Sequence, residues 1–133
     1  MDVQILVCDD EPEIRAALRR TLHRFQVTAV ETAEEALQEL RRRTYHAVVS
    51  DFNLGVDGDG LQLLQSVRVM YPDTLRCLVT GNTDLQVAIR AVNEGAVHRM
   101  FLKPWDDEQL VAAIQIALRR SGSFAAVAPP ADF

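Results

Sequence analysis

Five charged or hydroxyl side chains in this sequence stand directly after short apolar stretches, at places where a buried strand would end. Asp9 and Asp10 follow the first such stretch, and Asp51 follows a later one. Thr80 and Lys103 hold the corresponding places after two further stretches. A carboxylate can attack a phosphoryl group, and lysine and threonine can stabilise the charge on its oxygens. The residue types therefore indicate phosphoryl transfer, with Asp51 as nucleophile and Thr80 and Lys103 as its catalytic partners.

The three carboxylates Asp9, Asp10 and Asp51 would repel one another if they lay together without a cation. A site made only of oxygen ligands suits magnesium better than zinc. Magnesium takes one or two carboxylates plus phosphate oxygens and keeps several waters, so it can bring a phosphodonor onto a carboxylate. Mg²⁺ is therefore the expected cofactor of this acidic pocket.

The elements that must position these residues alternate between strand and helix. The short continuous apolar stretches are typical of strands that are buried on both faces. Between them, apolar residues recur at spacings of three and four, as in amphipathic helices. Pro12, Thr32, Thr83 and Asp106 suit the starts of four of these helices, and Gly95 suits the end of the fourth. The predicted strands are 3–8, 27–30, 47–50, 75–79 and 97–102.

This alternation predicts an α/β fold, a doubly wound five-stranded parallel sheet of order 2-1-3-4-5 with five helices, flavodoxin-like. In that order Asp51 is central, with the acidic pair on one neighbouring strand and Thr80 on the other. Adjacent strands lie ~4.8 Å apart, so Lys103 starts roughly 10 Å from Asp51, within the combined reach of the two side chains. All five groups are expected to converge at the carboxyl edge of the sheet.

The length of 133 residues fits one domain, predicted as 1–120, followed by 121–133 as a flexible tail or the start of a linker to an output module. The formal net charge of −5 would repel nucleic-acid phosphates, so no direct nucleic-acid partner is expected. No apolar run suits a membrane span or a signal peptide, and the cytoplasm is the expected location. Cys8 and Cys77 fall on strands one and four, ~10 Å apart with strand three between them, and are predicted to be free thiols.

Residues 3 to about 120 resemble a response-regulator receiver domain of two-component signalling. The resemblance rests on the acidic doublet, Asp51, Thr80-Gly81 and Lys103-Pro104, which occur in the family's order and close to its spacing. It implies that a sensor histidine kinase or a histidine phosphotransfer protein phosphorylates Asp51. Phosphorylation would switch the face made by helix 4, strand 5 and helix 5, and so control an output domain or partner protein, with a homodimer among the implied assemblies. Such a domain is not an enzyme in its own right, although it assists its own phosphorylation and dephosphorylation.

The resemblance also implies roles for single residues. Asp10 and Asp51 would ligate magnesium together with the backbone carbonyl of Asn53, while Asp9 would help through a water molecule. The bond between Lys103 and Pro104 is usually cis in the family. Residues 71–110 are similar to receivers that are often joined to cyclic-dinucleotide phosphodiesterase or protein phosphatase modules.

Two positions depart from the family pattern. Gly55 stands where many receivers carry a proline, in a loop that is about one residue longer than usual. Met100 stands where receivers usually carry an aromatic switch residue, which predicts looser coupling between the pocket and the signalling face.

Three other functions fit the sequence less well than phosphoryl acceptance. A calcium loop starting at Asp51, with Asn53, Asp57 and Asp59 as further ligands, lacks the glycine and the closing glutamate that such loops need. A flavodoxin-like redox protein would need a phosphate cradle after strand one, where this chain carries carboxylates instead. A degenerate receiver that only binds partners is disfavoured by the intact set of five side chains, and phosphorylation is the test that distinguishes it.

Overall fold

Strand and helix alternate along the chain in the computed structural model, which describes residues 2–55, 59–81, 85–94 and 96–121. All neighbouring strands are parallel, and the strand order across the sheet, numbered along the chain, is 2-1-3-4-5. The predicted fold class and strand order are confirmed. The predicted helix start at Thr83, its end at Gly95 and residues 122–133 lie outside the described residues, and the domain boundary stays a prediction. The elements are β1 (Gln4–Cys8), α1 (Pro12–Thr21), β2 (Gln26–Val30), α2 (Ala33–Arg42), β3 (Ala47–Asp51), α3 (Gly60–Met70), β4 (Leu75–Thr80), α4 (Leu85–Asn93), β5 (Arg99–Leu102) and α5 (Asp107–Ser121).

Each face of the sheet carries its own apolar core, because side chains alternate along a strand. Ile5 and Val7 of β1 belong to the core that includes α1 and α5, while Leu6 and Cys8 belong to the core that includes α2, α3 and α4. Burying one such aliphatic side chain contributes about 1.5–3 kcal/mol. With both faces covered, the strands cannot shift in register without exposing one of the cores, and the residues at their carboxyl ends are held in place.

Local signals in the sequence fix where three helices begin. Pro12 is the first residue of α1. Thr32 and Glu35 form the predicted capping box of α2, with the Thr32 hydroxyl accepting from the Glu35 amide at 3.1 Å and Glu35 accepting from the Thr32 amide at 3.1 Å. Asp106 caps α5, because its Oδ1 accepts the N–H of Gln109 at 2.9 Å. These predicted helix starts are confirmed.

Cys8 and Cys77 are both buried and free. Cys8 pairs in register with Ser50 of β3, and β4, which carries Cys77, lies on the far side of that strand. The predicted free thiols are confirmed. Burial raises the pKa of Cys77 to about 12, so this thiol stays protonated and unreactive at neutral pH.

Two histidines at the amino edge of the sheet make the same pair of hydrogen bonds to a neighbouring strand. His46 donates its N–H to the Gln4 carbonyl at 2.8 Å and accepts the Gln4 N–H on its Nδ1 at 3.0 Å. His98 donates its backbone N–H to the Arg76 carbonyl at 2.8 Å and accepts the Arg76 N–H on its ring Nδ1 at 3.0 Å. The Ala96 carbonyl, which a continued ladder would use, accepts from Arg76 Nε at 2.8 Å instead. Side-chain hydrogen bonds therefore replace the backbone ladder between these two strands, and β5 begins at Arg99 instead of the predicted residue 97.

Replacing His98 by asparagine is expected to make unfolding less sensitive to acid. Burial, with help from the charges of Arg76 and Arg99, lowers the pKa of His98, so the folded state favours the neutral ring that can accept on Nδ1. The stability that His98 contributes is present above its unfolded pKa of about 6.5 and is lost as the pH falls through that value toward the folded one. His98→Asn keeps an acceptor oxygen and does not titrate. Urea unfolding between about pH 7.5 and 5 should show the parent losing more of its free energy of unfolding than this variant does.

His23 offers the matched control for that measurement, because its Nδ1 contacts the Arg20 carbonyl at 3.0 Å and takes no part in the sheet edge. His23→Asn should follow the parent at every pH. Parallel pH profiles for the parent and His98→Asn would contradict the role given to His98.

Candidate functional site

Asp9 enters the site because the sheet continues one residue beyond β1. Its N–H donates to the Val30 carbonyl at 3.1 Å. Its Oδ1 accepts the N–H of Glu11 at 2.9 Å, and Arg15 Nη1 donates to its carbonyl at 2.8 Å. The residue is 0 % exposed. Asp9 is therefore a fixed, buried carboxylate at the carboxyl edge of the sheet.

Asp51 is the last residue of the central strand β3 and lies opposite Val79 of β4. It is 5 % exposed. Its carbonyl accepts the hydroxyl of Ser50 at 2.9 Å. Thr80 is the last residue of β4, one position beyond Val79, and is also buried. The predicted nucleophile and the predicted hydroxyl thus lie on neighbouring strands at the same edge.

Lys103 follows β5 and turns back over the acidic residues. Its N–H donates to the Thr80 carbonyl at 2.9 Å. Its Nζ lies 3.2 Å from Asp51 Oδ1, 3.5 Å from Asp9 Oδ2 and 3.9 Å from Glu11 Oε1. The bond to Pro104 is cis, as the resemblance implied. One ammonium group therefore bridges carboxylates from two strands, which confirms the predicted reach of this lysine.

Burial is the largest single influence on the pKa values of Asp9, Asp51 and Lys103. Burial is the main cause that raises the pKa of Asp9 to about 6; the neighbouring Asp51 also acts to raise it, while the Glu11 amide and Lys103 act to lower it. Burial likewise raises the pKa of Asp51, although Lys103 opposes it. Burial alone would lower the pKa of Lys103, but Asp51 and Asp9 outweigh it and raise the pKa. The two buried carboxylates therefore carry more negative charge than one lysine neutralises, and a further cation would be favoured there.

Four carboxylates are close enough to share one metal ion. Asp9, Asp10, Glu11 and Asp51 each offer one oxygen, and these oxygens all lie within 4.8 Å of one another. The donors are hard oxygens without nitrogen or sulfur, the type that magnesium and calcium prefer. The cluster fits a divalent cation of this kind.

The loop after Asp51 has a shape that a proline could not adopt. Gly55 has a φ of 67°, whereas proline is held near −65°. A Cβ on Gly55 would lie 3.2 Å from Asp10 Oδ2. The Asn53 side chain accepts the N–H of Gly55 at 3.0 Å, and Asn53 forms an isolated antiparallel bridge with Asp59. The side chain of Asn53 is thus used to shape the loop, and its backbone carbonyl as a metal ligand stays a prediction.

Sequence reasoning missed two residues of the site. Glu11 joins the acidic cluster although it is exposed, and its position directly after the doublet was the available signal. Gly60 is the first residue of α3, and a Cβ there would lie 1.9 Å from the Asp51 carbonyl oxygen. The sequence places this glycine in the loop but shows nothing of the close contact, which arises from the docking of α3 on β3.

Comparison with known proteins agrees with this geometry. Residues 5–115 match the family described as the response regulator receiver domain. The chain is 34 % identical over 120 residues to the hydrogenase transcriptional regulatory protein HoxA of Cupriavidus necator, covering 89 % of this chain and 24 % of that protein. It is 33 % identical over 126 residues to the response regulator protein PilR of Pseudomonas aeruginosa, covering 93 % and 28 %. The chain therefore spans about a quarter of the length of these relatives.

A solved structure has the same architecture. The signal receiver domain of an HD domain-containing protein from Pseudomonas fluorescens Pf-5 superposes with a TM-score of 0.86 at 34 % identity, covering 95 % of this chain and 93 % of that one. None of the helices in the described part of this chain has the length and apolar run needed to cross a bilayer.

Proposed function

Because the chain belongs to the family of response regulator receiver domains, which act in two-component phosphorelay signalling, we propose that Asp51 is the aspartate that accepts the phosphoryl group. Lys103 and Thr80 are its catalytic partners in this proposal. The observation that carries it is the position of Lys103 Nζ, 3.2 Å from Asp51 Oδ1 and 3.5 Å from Asp9 Oδ2, beside the four-carboxylate cluster. The site also supports a phosphoacceptor in preference to a receiver that has lost its chemistry, since all five predicted side chains lie at one edge of the sheet.

The proposed reaction is an in-line displacement at phosphorus. A carboxylate oxygen of Asp51 forms the new O–P bond while the P–N bond of a donor phosphohistidine breaks, and the donor imidazole leaves with the electron pair. Lys103 moves its ammonium contact from Asp51 to the phosphoryl oxygens, and the Thr80 hydroxyl donates to another of them. The side chain of Lys103 is 18 % exposed, so this contact lies in a pocket where it is weakly screened.

We propose Mg²⁺ as the cation of the acidic cluster, held by Asp10, Asp51 and the Asn53 carbonyl, with Asp9 acting through water. When bound, the ion supplies positive charge that offsets the repulsion between the carboxylates and an incoming phosphoryl group. Asp9, fixed by the Glu11 amide, keeps its charge directed at the cluster, and Lys103 remains free to follow the phosphoryl oxygens.

Asp10→Ala is expected to weaken Mg²⁺ binding by about tenfold or more, because it removes a direct ligand. Loss of a residue that only hydrogen-bonds a metal ligand already lowers metal affinity by about tenfold. The side chain is only half-buried, so the fold should persist. Trp105, the single tryptophan, lies two residues after Lys103 and can report the titration by fluorescence. Glu13→Ala, an exposed change on α1, is the matched control. Equal Mg²⁺ affinity in Asp10→Ala and the parent would remove Asp10 from the site.

We propose a sensor histidine kinase or a histidine phosphotransfer protein as the phosphodonor. A groove of about 430 Å³ runs beside Lys103, with apolar walls from Ile14, Ala17, Pro104 and Trp105. The Trp105 indole donates to Thr21 Oγ1 at 2.9 Å and to Asp107 Oδ1 at 3.0 Å, which fixes this wall between α1 and α5. A rigid, partly apolar surface next to the reacting atoms supports docking of a donor protein there.

The proposed output surface is the face of α4, β5 and α5. Large exposed apolar side chains there support contact with an output domain, a partner protein or a second copy of the chain. Met100 lies opposite Leu78 in the β4–β5 register and is 39 % exposed. Its flexible side chain supports the predicted loose coupling of this face to the pocket. The class of output module and the cytoplasmic location stay predictions. The exposed apolar residues are Ile89, Met100, Leu102 and Ile116.

Incubation with acetyl phosphate tests the proposed function directly. With Mg²⁺ present, intact mass spectrometry should show the gain of one phosphoryl group, and an excess of chelator should prevent it. A chain that gains no phosphoryl group from acetyl phosphate or from a phosphorylated histidine donor would overturn the proposal and favour a receiver that only binds partners.

A further inference from the structure

A charged contact ties α4 to the loop that follows Asp51, of which the structure describes residues 52–55 and 59. Arg90 Nη1 of α4 lies 2.8 Å from Asp59 Oδ2, and the guanidinium also reaches Glu94, the residue directly after α4, at 3.5 Å. The side chains of Arg90 and Asp59 are 42 % and 22 % exposed, so the pair is partly shielded from solvent. Neither residue belongs to the acidic cluster.

Asp59 holds the loop in three ways. Its Oδ1 caps α3 by accepting the Gln62 N–H at 2.9 Å, and its backbone forms the isolated bridge to Asn53. Its Oδ2 is then free for Arg90. The next residue, Gly60, donates to the Phe52 carbonyl and lies directly on the Asp51 carbonyl. A displacement of Asp59 would therefore move both Asn53 and the start of α3 against the acceptor strand.

We propose that Arg90 is a positioning residue for the metal and phosphoryl site, acting through Asp59. By fixing the Oδ2 of Asp59, Arg90 keeps the loop between Asp51 and α3 in the arrangement that places Asn53 next to the cluster. The inference rests on the proposed function, in which that loop supplies a metal ligand. Because coupling between two sites is reciprocal, occupation of the cluster also stabilises α4 in the position where Arg90 meets Asp59.

The alternative is that the pair only fastens α3 to α4. The chain offers a comparison for that role, because Arg68 Nη1 near the end of α3 donates to the Glu94 carbonyl at 2.9 Å. This second tie joins the same two helices and touches neither the loop nor the cluster. A general loosening of the helices should follow removal of either arginine, whereas an effect on the site should follow removal of Arg90 alone.

Four single variants and one double variant test the inference, with Mg²⁺ titration by Trp105 fluorescence and amide exchange by NMR. Arg90→Gln removes the charge, Asp59→Asn keeps a good N-cap without the ion pair, and Arg68→Gln is the control. Arg90→Gln and Asp59→Asn should each weaken Mg²⁺ binding about two- to fivefold, the factor that a partly exposed ion pair supports, and the double variant should lose no more than the larger single effect. Arg90→Lys should restore part of the affinity.

The exchange measurement uses the metal-free protein. Amides of Gly60 and Gln62 should exchange faster in Arg90→Gln than in the parent and remain unchanged in Arg68→Gln. Unchanged Mg²⁺ affinity in Arg90→Gln, or equal effects of the two arginine variants, would overturn the inference. A parent that neither binds Mg²⁺ nor accepts a phosphoryl group would instead overturn the proposed function, while the exchange rates would still decide whether Arg90 holds the loop through Asp59.

Discussion

Asp51→Asn is expected to abolish phosphorylation by acetyl phosphate in the presence of Mg²⁺. The carboxamide has nearly the same shape as the carboxylate but is not a nucleophile toward phosphorus, so the O–P bond cannot form. The change also removes the closest partner of Lys103 Nζ, at 3.2 Å, without emptying the pocket. The fold should be retained, because the burial that raises the pKa of Asp51 disfavours its charge in the folded state. Intact mass before and after incubation measures the outcome.

Asp73→Asn provides the matched control, because Asp73 is exposed in the turn before β4. This variant should gain one phosphoryl group as the parent does. Asp9 and Asp10 remain in the cluster of Asp51→Asn, so any remaining mass gain must be located by peptide mapping. A full gain in Asp51→Asn, wherever it maps, would show that Asp51 is not the required acceptor.

The positions of the site residues could be predicted because they follow from the topology of a parallel sheet. Asp51 and Thr80 end the buried strands β3 and β4, Lys103 follows the edge strand β5, and parallel strands bring their carboxyl ends to one edge. Asp51, Thr80 and Lys103 needed only the strand order to be placed beside one another. The helix starts at Thr32 and Asp106 were equally accessible, since caps act within four residues of the chain.

Contacts between side chains that are distant in sequence could not be predicted in this way. The Asp59–Arg90 pair joins residues 31 positions apart, and its formation depends on how α3 and α4 pack on the sheet. The start of β5 was placed two residues early because the sequence gives no sign that His98 accepts the N–H of Arg76 in place of a backbone carbonyl. Both the Asp59–Arg90 pair and the start of β5 depend on tertiary packing, whereas local propensity determines only which segments form helices and strands.

Gly60→Ala is expected to destabilise the protein strongly, although alanine is the better helix former. Helix propensity alone would favour alanine by up to about 1 kcal/mol. The opposing effect is larger, because the new Cβ would lie 1.9 Å from the Asp51 carbonyl oxygen and 2.8 Å from Ser50 Oγ. The main obstacle is backbone of the central strand, which cannot rotate away as a side chain can. Relief requires α3 to move off β3, and that movement loosens the packing of Leu61 and Leu64 on the sheet.

We therefore expect Gly60→Ala to lower the free energy of unfolding by about 3 kcal/mol or more, at the upper end of the range for overpacked sites, as measured by urea unfolding. Ser66→Ala, in the same helix, isolates the propensity effect, because the Ser66 hydroxyl donates a long bond of 3.3 Å to the Gln62 carbonyl of its own helix. That control should change stability by no more than about 0.5 kcal/mol. Any Gly60→Ala protein that stays folded should also accept phosphate more slowly, since the helix must shift where it meets Asp51. A variant as stable as the parent and phosphorylated at the same rate would show that α3 does not press on the acceptor strand.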